Sequence, residues 1–595
     1  MRICLRKCGI LFAALATLFG VSYVGFAQPT LSVTPSVVSN TYAGAITLQI
    51  GGLTNGETVN VHTFLDLDAN GVVDPGEPLM DAFKITDNGT NGVFGTVTNV
   101  NIPIDGNSAT GAITTSFNFA PPLALANIVG QQIYRVVSPT GRFSPVTATL
   151  KVTNASTAQS VSGIVLNGAI PLPNAMVVAL LQPNSDYAGA AVADNTGHYS
   201  LNLNPGTYVL ITALPNYYTD QSLAPQVTLT NPAVVTTNLF LTNGLAANTI
   251  SGQVYDSASS NGLAGVFLQF DSGNLFSVVF TDTNGNYSAA LAPAFWKIKP
   301  AKERLARRAY VVSQNTFQVN TTAGSVTNAN TALYKADALF YGRITDNFSA
   351  PLANIIFDGN DMNNQFSAKG YSDASGNYAV AVLGMTNDDW FCSANQASAL
   401  ASYILNNFNT VSVSSGQLIR EDFVALPITA HISGWVRDNS GNPVVGVSLF
   451  ANTIGGNYQS LNATTDNSGN YTLGVASGSW MVGFSLGGEG GLDTAGFADL
   501  NGPYSVSIPP TNAMLNLTVY PIGTPLVSQP RRISATQFGF TINGAVNVDY
   551  TVQVSTNLAS TNWSPLFSLV LTNTSFPVVD VNATNSPRFY RVKKN

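Results

Sequence analysis

The sequence predicts an all-β protein, built as a string of β-sandwich domains behind a cleaved signal peptide. Apolar and polar residues alternate in short stretches such as TYVLITAL and VVGVSLF, which is the period of a half-buried strand. Turn residues separate these stretches roughly every 8–12 residues, a spacing typical of sandwiches. Helical periodicity is nearly absent, and one pattern recurs four times along the chain.

The composition excludes several classes of protein. Of 595 residues, 24 are Lys or Arg and 31 are Asp or Glu, so that 9% are charged, against roughly 25% in an average soluble domain. With 45% apolar residues, the chain is too apolar for a disordered polyelectrolyte and too poor in charge for a long coiled coil. The net charge of −7 argues against a nucleic-acid partner. The length predicts about four or more domains.

Residues 1–27 have the three-part layout of a secretory signal peptide. Three basic residues precede the apolar run ILFAALATLFGV, and the small residues Gly25 and Ala27 stand at the −3 and −1 positions of a cleavage site. We expect cleavage after Ala27. The alternative is an N-terminal membrane anchor, which the shortness of the apolar run disfavours.

Cleavage would leave Cys392 as the only cysteine, because Cys4 and Cys8 lie within the signal peptide. The exported protein is therefore predicted to contain no intramolecular disulfide. No later segment has 18 consecutive apolar residues, so we expect no transmembrane segment in the mature chain. These features predict a secreted or cell-surface protein.

Residues 28–156 are predicted to form an N-terminal β-sandwich region that contains a calcium-type loop. The segment DLDANGVVDPGE places oxygen donors at positions 1, 3, 5, 7, 9 and 12 and Gly71 at position 6, which is the ligand pattern of an EF-hand loop. The flanks are not helical, since a strand-like segment precedes the loop and Pro78 follows it. The sequence favours one calcium ion over an ion-free acidic turn. The predicted ligands are Asp66, Asp68, Asn70, the Val72 carbonyl, Asp74 and Glu77.

The pattern that recurs has two markers. A glycine near the start of each copy is followed 33 to 35 residues later by the glycine of an Asp-x-x-Gly-x-Tyr turn. The Asp side chain of this turn is expected to accept hydrogen bonds from backbone N–H groups two residues on, and the Gly to take a positive φ. The markers are Gly163, Asp194, Gly197 and Tyr199; Gly252, Asp282, Gly285 and Tyr287; Gly342, Asp373, Gly376 and Tyr378; Gly434, Asp466, Gly469 and Tyr471.

On these motifs the four copies resemble carboxypeptidase regulatory-like domains, also described as transthyretin-like or carbohydrate-binding-like folds. Residues 432–482 match the family pattern best, and the third copy departs from it by carrying Tyr341 where the pattern has Ser. The resemblance implies an Ig-like or transthyretin-like sandwich of seven or eight strands per copy and says little about function. The predicted boundaries are 157–245, 246–335, 336–428 and 429–522.

Residues 296–310, WKIKPAKERLARRAY, interrupt the β pattern of repeat 2 with good helix formers. A Glu303–Arg307 pair is expected at helical spacing. One interpretation is an anion- or polysaccharide-binding patch or a docking helix; the other is a solvated helical insertion between strands. The basic residues are Lys297, Lys299, Lys302, Arg304, Arg307 and Arg308.

Residues 523–595 are predicted to form a last β module. The segments DYTVQVSTNLASTNWSPL and SPRFYRV resemble small fibronectin-type-III-like modules of exported bacterial proteins. Trp563 is expected to be a core or edge aromatic rather than a ligand platform.

The sequence predicts no enzyme. The histidines His62, His198 and His431 fall in different domains, and no His-Glu-x-x-His, nucleophile elbow, P-loop or dinucleotide fingerprint is present. The zinc peptidase domain that often accompanies regulatory-like repeats is therefore absent from this sequence.

Two functions remain open. The first is a secreted or surface protein that binds carbohydrate, a polysaccharide or another cell-envelope component, or that mediates adhesion, with one calcium site. The second is a purely structural surface or matrix spacer. An accessory subunit of an extracellular hydrolase is a remote third possibility. The sequence leaves the ligand and the oligomeric state undetermined.

Overall fold

The computed structural model describes residues 28–595, apart from residues 91, 120–126, 183–185, 245–247, 316, 386–387, 396–399, 401, 407–409, 510, 560 and 585–586. The predicted signal peptide, residues 1–27, lies outside the described residues. Nearly all of the regular secondary structure in the described chain is β-strand, which confirms the predicted fold class. Two short 3₁₀ helices lie among the strands of the described chain, η1 (Gln221–Leu223) and η2 (Glu303–Arg308).

The N-terminal module is a sandwich of a three-stranded and a five-stranded sheet, in the orders β1-β3-β8 and β2-β10-β9-β4-β5. A small hairpin, β6-β7, lies beside them. Strands β1 to β10 are Thr30–Thr34, Val37–Ser39, Ala45–Gly51, Thr58–Asp66, Leu79–Thr86, Val93–Phe94, Val97–Thr98, Ala112–Asn118, Gly130–Val137 and Val146–Thr153.

In each of the four repeats, the strand that carries the marker glycine belongs to one layer of strands, which packs across a buried core against a second layer. In repeat 3 the two layers are joined where Tyr371 pairs with Ala379. Repeat 1 holds β11 to β21: Ser160–Asn167, Ile170–Pro171, Met176–Leu181, Asp186–Val192, His198–Asn202, Gly206–Ala213, Tyr217–Asp220, Gln226–Leu229, Val234–Thr236, Leu239–Phe240 and Thr242–Asn243. Repeat 2 holds β22 to β29: Thr249–Asp256, Phe267–Ser272, Leu275–Phe280, Asn286–Ala290, Phe295–Pro300, Tyr310–Ser313, Phe317–Asn320 and Thr331–Lys335.

Repeat 3 holds β30 to β38: Ala338–Asp346, Ile356–Asp361, Phe366–Ser372, Asn377–Val382, Asp389–Ala394, Tyr403–Asn406, Thr410–Ser412, Leu418–Arg420 and Phe423–Pro427. Repeat 4 holds β39 to β48: Ala430–Asp438, Ser448–Thr453, Tyr458–Gln459, Ala463–Thr464, Asn470–Val475, Gly478–Phe484, Phe497–Ala498, Tyr504–Ile508, Ala513–Met514 and Leu517–Pro521. The C-terminal module holds β49 to β54: Leu526–Arg532, Phe538–Asn543, Asp549–Ser555, Ser564–Val570, Ser575–Asp580 and Phe589–Lys594. Its two sheets have the orders β49-β50-β53 and β52-β51-β54.

The two sequence markers of each repeat are partners in one strand pair. In repeat 4, Gly434 of β39 lies opposite Tyr471 of β43, and the same pairing joins the marker glycine and tyrosine in the other three repeats. The late strand β48 runs parallel to β39 on its other side. A Cβ at Gly434 would lie 1.8 Å from the carbonyl oxygen of Leu515, so that only glycine allows this approach.

The marker tyrosine donates a hydrogen bond to the same carbonyl that packs closely against the marker glycine. Tyr471 Oη donates to the Leu515 carbonyl at 2.8 Å, and Tyr378 Oη donates to the Glu421 carbonyl at 2.7 Å. Tyr199 and Tyr287 bond equivalent carbonyls in repeats 1 and 2. The glycine and the tyrosine therefore form one device, which closes each sandwich between its first and last strands.

The Asp-x-x-Gly turns have the predicted geometry. Asp466 Oδ1 accepts from the backbone N–H groups of Ser468 and Asn470, both at 2.8 Å, and Gly469 has a φ of 77°. The other three turns repeat this arrangement. His198 lies in the first of them, where its backbone N–H donates to Asp194.

Strand pairs also connect successive repeats. Strand β17 of repeat 1 pairs with β24 of repeat 2, β27 of repeat 2 with β32 of repeat 3, and β35 of repeat 3 with β41 of repeat 4. An open strand edge is a site of aggregation in a chain with so few charges. Here the neighbouring repeat covers part of each edge.

Candidate functional site

The predicted calcium loop connects β4 to β5 at one end of the N-terminal module. Strand β4 ends at Asp66 and β5 begins at Leu79, so that the loop is the turn of a long hairpin. Ala69 and Gly71 have φ values of 58° and 79°. These two left-handed residues fold the chain back on itself, and Gly71 does so where the sequence pattern requires a sharp turn.

Three of the predicted ligands converge. One carboxylate oxygen from each of Asp66, Asp68 and Glu77 lies within 4.8 Å of the other two. Asp66 is buried, and its Oδ2 accepts from the Gly71 N–H at 2.8 Å and from Gln131 Nε2 at 2.7 Å. The first, third and last residues of the loop thus bring their carboxylates together.

The other three predicted ligands are placed differently. Asn70 Nδ2 donates to Asp68 Oδ2 at 2.9 Å and to Asp74 Oδ2 at 2.6 Å, while its Oδ1 accepts from the Val72 N–H. Asp74 is therefore linked to the carboxylate group through Asn70 and is not one of the three converging acids. The side chain of Val72 is exposed, in keeping with a position that would contribute only its carbonyl.

The electrostatics of the loop suit a cation. Burial raises the pKa of Glu77, and the charges of Asp66 and Asp68 raise it further, against hydrogen bonds from the backbone of Asp74 and Leu67 that lower it. Carboxylates that are forced together in this way destabilise one another unless a positive charge separates them. Clustered carboxylate oxygens on a tight turn are the donor set that calcium prefers. The residues present fit a calcium ion.

The loop is bracketed by residues of a junction between three modules. Leu65, just before the loop, and Met80, just after it, are fully buried in an apolar cluster with residues of repeats 1 and 2. Phe267 and Phe280 of repeat 2 contact each other in this cluster, with tilted rings and 4.8 Å between ring centroids. The cluster also contains Ile128, Met176, Ala190, Ala213, Val278 and Ala301. The residues on both sides of the loop are therefore covered by repeats 1 and 2.

The basic segment of repeat 2 lies in the same junction, contrary to the solvated helix considered from the sequence. Arg304 and Arg307 in η2 are 4% and 8% exposed. Arg307 Nη1 bonds Asp81 Oδ2 of the N-terminal module at 3.0 Å, and Arg304 Nη1 donates to the Met80 carbonyl at 2.9 Å. Arg307 also stacks over the ring of Phe117. The segment docks inside the molecule because its guanidinium groups satisfy carbonyls and a carboxylate of another module.

The expected Glu303–Arg307 pair does not form, because Arg307 turns towards Asp81. Instead, Glu303 Oε1 lies 3.9 Å from Lys369 Nζ of repeat 3. The backbone carbonyl of Glu303 accepts a hydrogen bond from Tyr371 Oη. Helix η2 thus connects repeat 3 as well as repeat 2 to the N-terminal module.

The remaining basic residues do not form one patch with the buried arginines. Lys297 and Lys299 project from β26 into solvent, with Lys299 3.8 Å from Asp271. Lys302 lies 3.5 Å from Asp358 of repeat 3. Arg308 donates to the carbonyls of Ala264 and Gly265. The interpretation of all six residues as a single surface patch is therefore wrong.

His62 and Asp81 are buried polar residues at the junction, and the sequence analysis did not identify either of them as a site residue. His62 is 7% exposed on β4, and burial, together with the charges of Arg135 and Arg308, lowers its pKa to about 4. Both residues lie within strands whose sequences show no motif. The charged residues that act on them, Arg307 on Asp81 and Arg135 and Arg308 on His62, are distant in the sequence. The only local signal is a polar residue within an apolar strand.

Two smaller predictions concern single residues. Cys392 is a buried free thiol. Trp563 is half-buried beneath the guanidinium of Arg591 at 4.5 Å from the ring centroid, in keeping with an edge aromatic. None of the described helices is long and apolar enough to cross a membrane.

The similarity of this chain to known proteins is found in the comparison with solved structures. No protein-family model matches it, and no curated protein is found as a relative. Among solved structures, it is similar to the Bacillus anthracis TIE protein (10% identity, 84% of this chain and 76% of that one, TM-score 0.15) and to a streptococcal ancillary pilin (12%, 46% and 98%, 0.16). It is also similar to a DUF3823 family protein of Bacteroides ovatus (10%, 28% and 90%, 0.13). TM-scores of this size carry no functional argument.

Proposed function

We propose that this chain is a non-enzymatic protein of the cell surface or extracellular matrix, whose modules form a scaffold that calcium stiffens at one junction. The position of the loop carries this proposal. Its carboxylates converge between Leu65 and Met80, and both of these residues are buried against repeats 1 and 2. A cation that orders the loop would also stabilise the docked modules, because binding to the folded state adds to its stability.

Export is part of the proposal and is supported by the signal-peptide layout of residues 1–27. Calcium at millimolar concentration is available outside cells, where loops of moderate affinity are used as structural sites. The carboxypeptidase regulatory-like resemblance of the repeats is retained as a proposal for their ancestry and implies no activity of its own.

Calcium titration of the purified protein tests the scaffold. We expect a saturable heat and a higher midpoint of thermal unfolding in calcium than in a chelator. Replacing Asp68→Asn or Glu77→Gln should remove both effects, because each removes one of the converging carboxylates. Asp549→Asn is the matched control, since it removes one charge from an exposed strand of the C-terminal module. No heat at millimolar calcium would refute the site.

Hydrogen exchange tests the coupling between the loop and the junction. Calcium should protect amides of residues 65–80 and also those of β23 and β24, which pack against Leu65 and Met80. Protection confined to the loop would mean that the ion does not stiffen the junction.

Carbohydrate binding is a second candidate. One observation favours it, a polar cleft between the N-terminal module and repeat 2 with a cavity volume of about 680 Å³. Ligand pockets of roughly 300–1,000 Å³ are typical of small-molecule sites. A surface protein that binds an envelope polysaccharide could use such a cleft in addition to its scaffold role.

A further inference from the structure

The cleft between the N-terminal module and repeat 2 has walls from two modules. One wall consists of outward-facing residues of β4 and β5, among them Asn60, His62 and Lys84. The opposite wall is formed by the loop after β22, by Arg308 at the end of η2 and by Lys335 at the end of β29. The site exists only when repeat 2 is docked.

The charges in the cleft do not balance. Four cationic residues line it, Lys84, Arg307, Arg308 and Lys335, against one carboxylate, Asp256. Arg307 is neutralised by Asp81, outside the lining. Within the described part of the chain, Lys84, Arg308 and Lys335 make no ion pair.

The one acid in the cleft is already engaged. Asp256 accepts hydrogen bonds from Tyr310 Oη at 2.8 Å and from the backbone and hydroxyl of Ser259. Lys335 Nζ lies over the Tyr310 ring at 4.9 Å from its centroid and also donates to the Arg308 carbonyl. Even with Asp256 counted, Lys84, Arg308 and Lys335 leave the cleft with a net positive charge, which an anionic ligand would reduce.

Residues of both walls also have unused hydrogen-bonding capacity. Among the residues that the structure describes, His62 Nδ1, Asn60 Oδ1 and Arg308 Nε are buried and have no hydrogen-bond partner. Burial lowers the pKa of Arg308, which indicates that its charge is held at an energetic cost. Buried polar groups of this kind are usually satisfied by a partner.

We propose that this cleft binds a carboxylate-bearing sugar, such as a uronate unit of an acidic polysaccharide. The carboxylate would lie between Lys84, Arg308 and Lys335, since guanidinium and ammonium groups form the strongest hydrogen bonds to carboxylates. The sugar hydroxyls match the amides and hydroxyls that line the rest of the cleft, including Asn60, Ser259 and Asn261. This inference rests on the second candidate function and gives it a ligand class.

Binding of sodium glucuronate to the purified protein, followed by calorimetry, tests the inference. We expect saturable binding, with glucose bound far more weakly because it lacks the carboxylate. Arg308→Gln should weaken binding about tenfold or more, which is the effect of losing one charge-assisted hydrogen bond. Lys84→Gln should also weaken it, and because Lys84 is exposed this variant should fold even if Arg308→Gln does not.

Lys151→Gln is the matched control. It removes the same charge from an exposed strand position of the same module, outside the cleft, and should leave glucuronate binding unchanged. The inference is overturned by absent saturable binding, by equal binding in Lys84→Gln, or by sulfate that binds as tightly as glucuronate. The last result would mean that the cleft recognises an inorganic anion and not a sugar. None of these results depends on calcium, so the scaffold proposal stands or fails separately.

Discussion

The interior of a repeat and the junction at the N-terminal module are stabilised in different ways. Each repeat is closed by a glycine that admits a carbonyl and a tyrosine that binds it, an arrangement that occurs four times. The junction uses buried charge instead, with Arg304 and Arg307 against Met80 and Asp81. Unlike the glycine–tyrosine arrangement, this set of contacts is not repeated in the other modules that the structure describes.

The difference teaches where rare charged residues are used in a chain that is 9% charged. Inside a repeat the backbone supplies the specificity, and side chains can be small and uncharged. Between modules of unrelated sequence, a guanidinium with five donors can satisfy several carbonyls and a carboxylate at once. Substitutions in the two regions should therefore differ in size and in how far their effects extend.

The largest effect is expected for Arg307→Met, which leaves Asp81 buried without its partner. Breaking a buried ion pair from one side costs about 3–5 kcal/mol, and urea unfolding of the purified protein should report a loss of this size. Arg420→Met is the control, because its pair with Asp422 is exposed and such pairs contribute roughly 0.2–1 kcal/mol. Similar losses in the two variants would mean that the junction does not depend on buried charge.

The next effect is the pH dependence that His62 contributes. Its pKa is about 4 in the folded protein and about 6.5 when unfolded, so the unfolded state binds the extra proton between these values. The free energy of unfolding should therefore fall by about 3 kcal/mol as the pH drops from 6.5 to 4, on this account alone. This contribution is complete above pH 6.5 and has been lost below pH 4.

Two variants isolate that contribution from the carboxylates that also titrate in acid. Unfolding measured as a function of pH should show a shallower slope for His62→Gln than for the native protein. His198→Gln, at an exposed turn of repeat 1, should leave the slope unchanged. Equal slopes in all three proteins would contradict a neutral, buried His62.

In the repeat interior, Gly434→Ala should destabilise the protein by about 1–3 kcal/mol, as expected for overpacking a close contact. The added methyl would meet the Leu515 carbonyl at 1.8 Å, and β39 would have to separate from its parallel neighbour. Gly483→Ala serves as the control, because the nearest atom to its Cβ is 3.5 Å away. Thermal unfolding of the two variants distinguishes the contact from a general cost of replacing glycine.

The smallest effect is expected for Tyr471→Phe, which removes the hydroxyl bound to the Leu515 carbonyl and leaves the ring in place. Such a hydrogen bond contributes about 1 kcal/mol. Hydrogen exchange should show faster opening within repeat 4 and unchanged protection at η2. A change at η2 would indicate that the repeats and the junction open together.

The sequence predicted the repeat interiors well because their contacts are local and repeated. The register of Gly434 with Tyr471 and the turn at Asp466 follow from two markers about 35 residues apart. The acidic loop is also visible in the sequence as twelve consecutive residues, and three of its predicted ligands converge, whereas Asn70 and Asp74 do not join them. Calcium binding there stays a prediction.

The junction and the cleft could not be predicted in this way. Arg307 and Asp81 are 226 residues apart, and Arg304 bonds a carbonyl 224 residues earlier. No local pattern links such residues, and a basic run beside good helix formers looks the same whether it faces solvent or another module. The cleft is harder still to predict, because its lining comes from two modules and the sequence does not show that these modules dock against each other.

The separation along the chain also bears on the order in which the protein can assemble. The N-terminal module can form its own sheets early. Its contacts with η2 can form only after residues 303–308 are present, and the hydrogen bond from Asn101 requires the Ala379 carbonyl, 278 residues later in the chain. Contacts of such long range form slowly, because the loop must close before the contact contributes. Assembly should thus be separable into fast closure of single sandwiches and a slow docking step. During that interval the apolar surfaces of Leu65, Met80 and Phe267 remain uncovered.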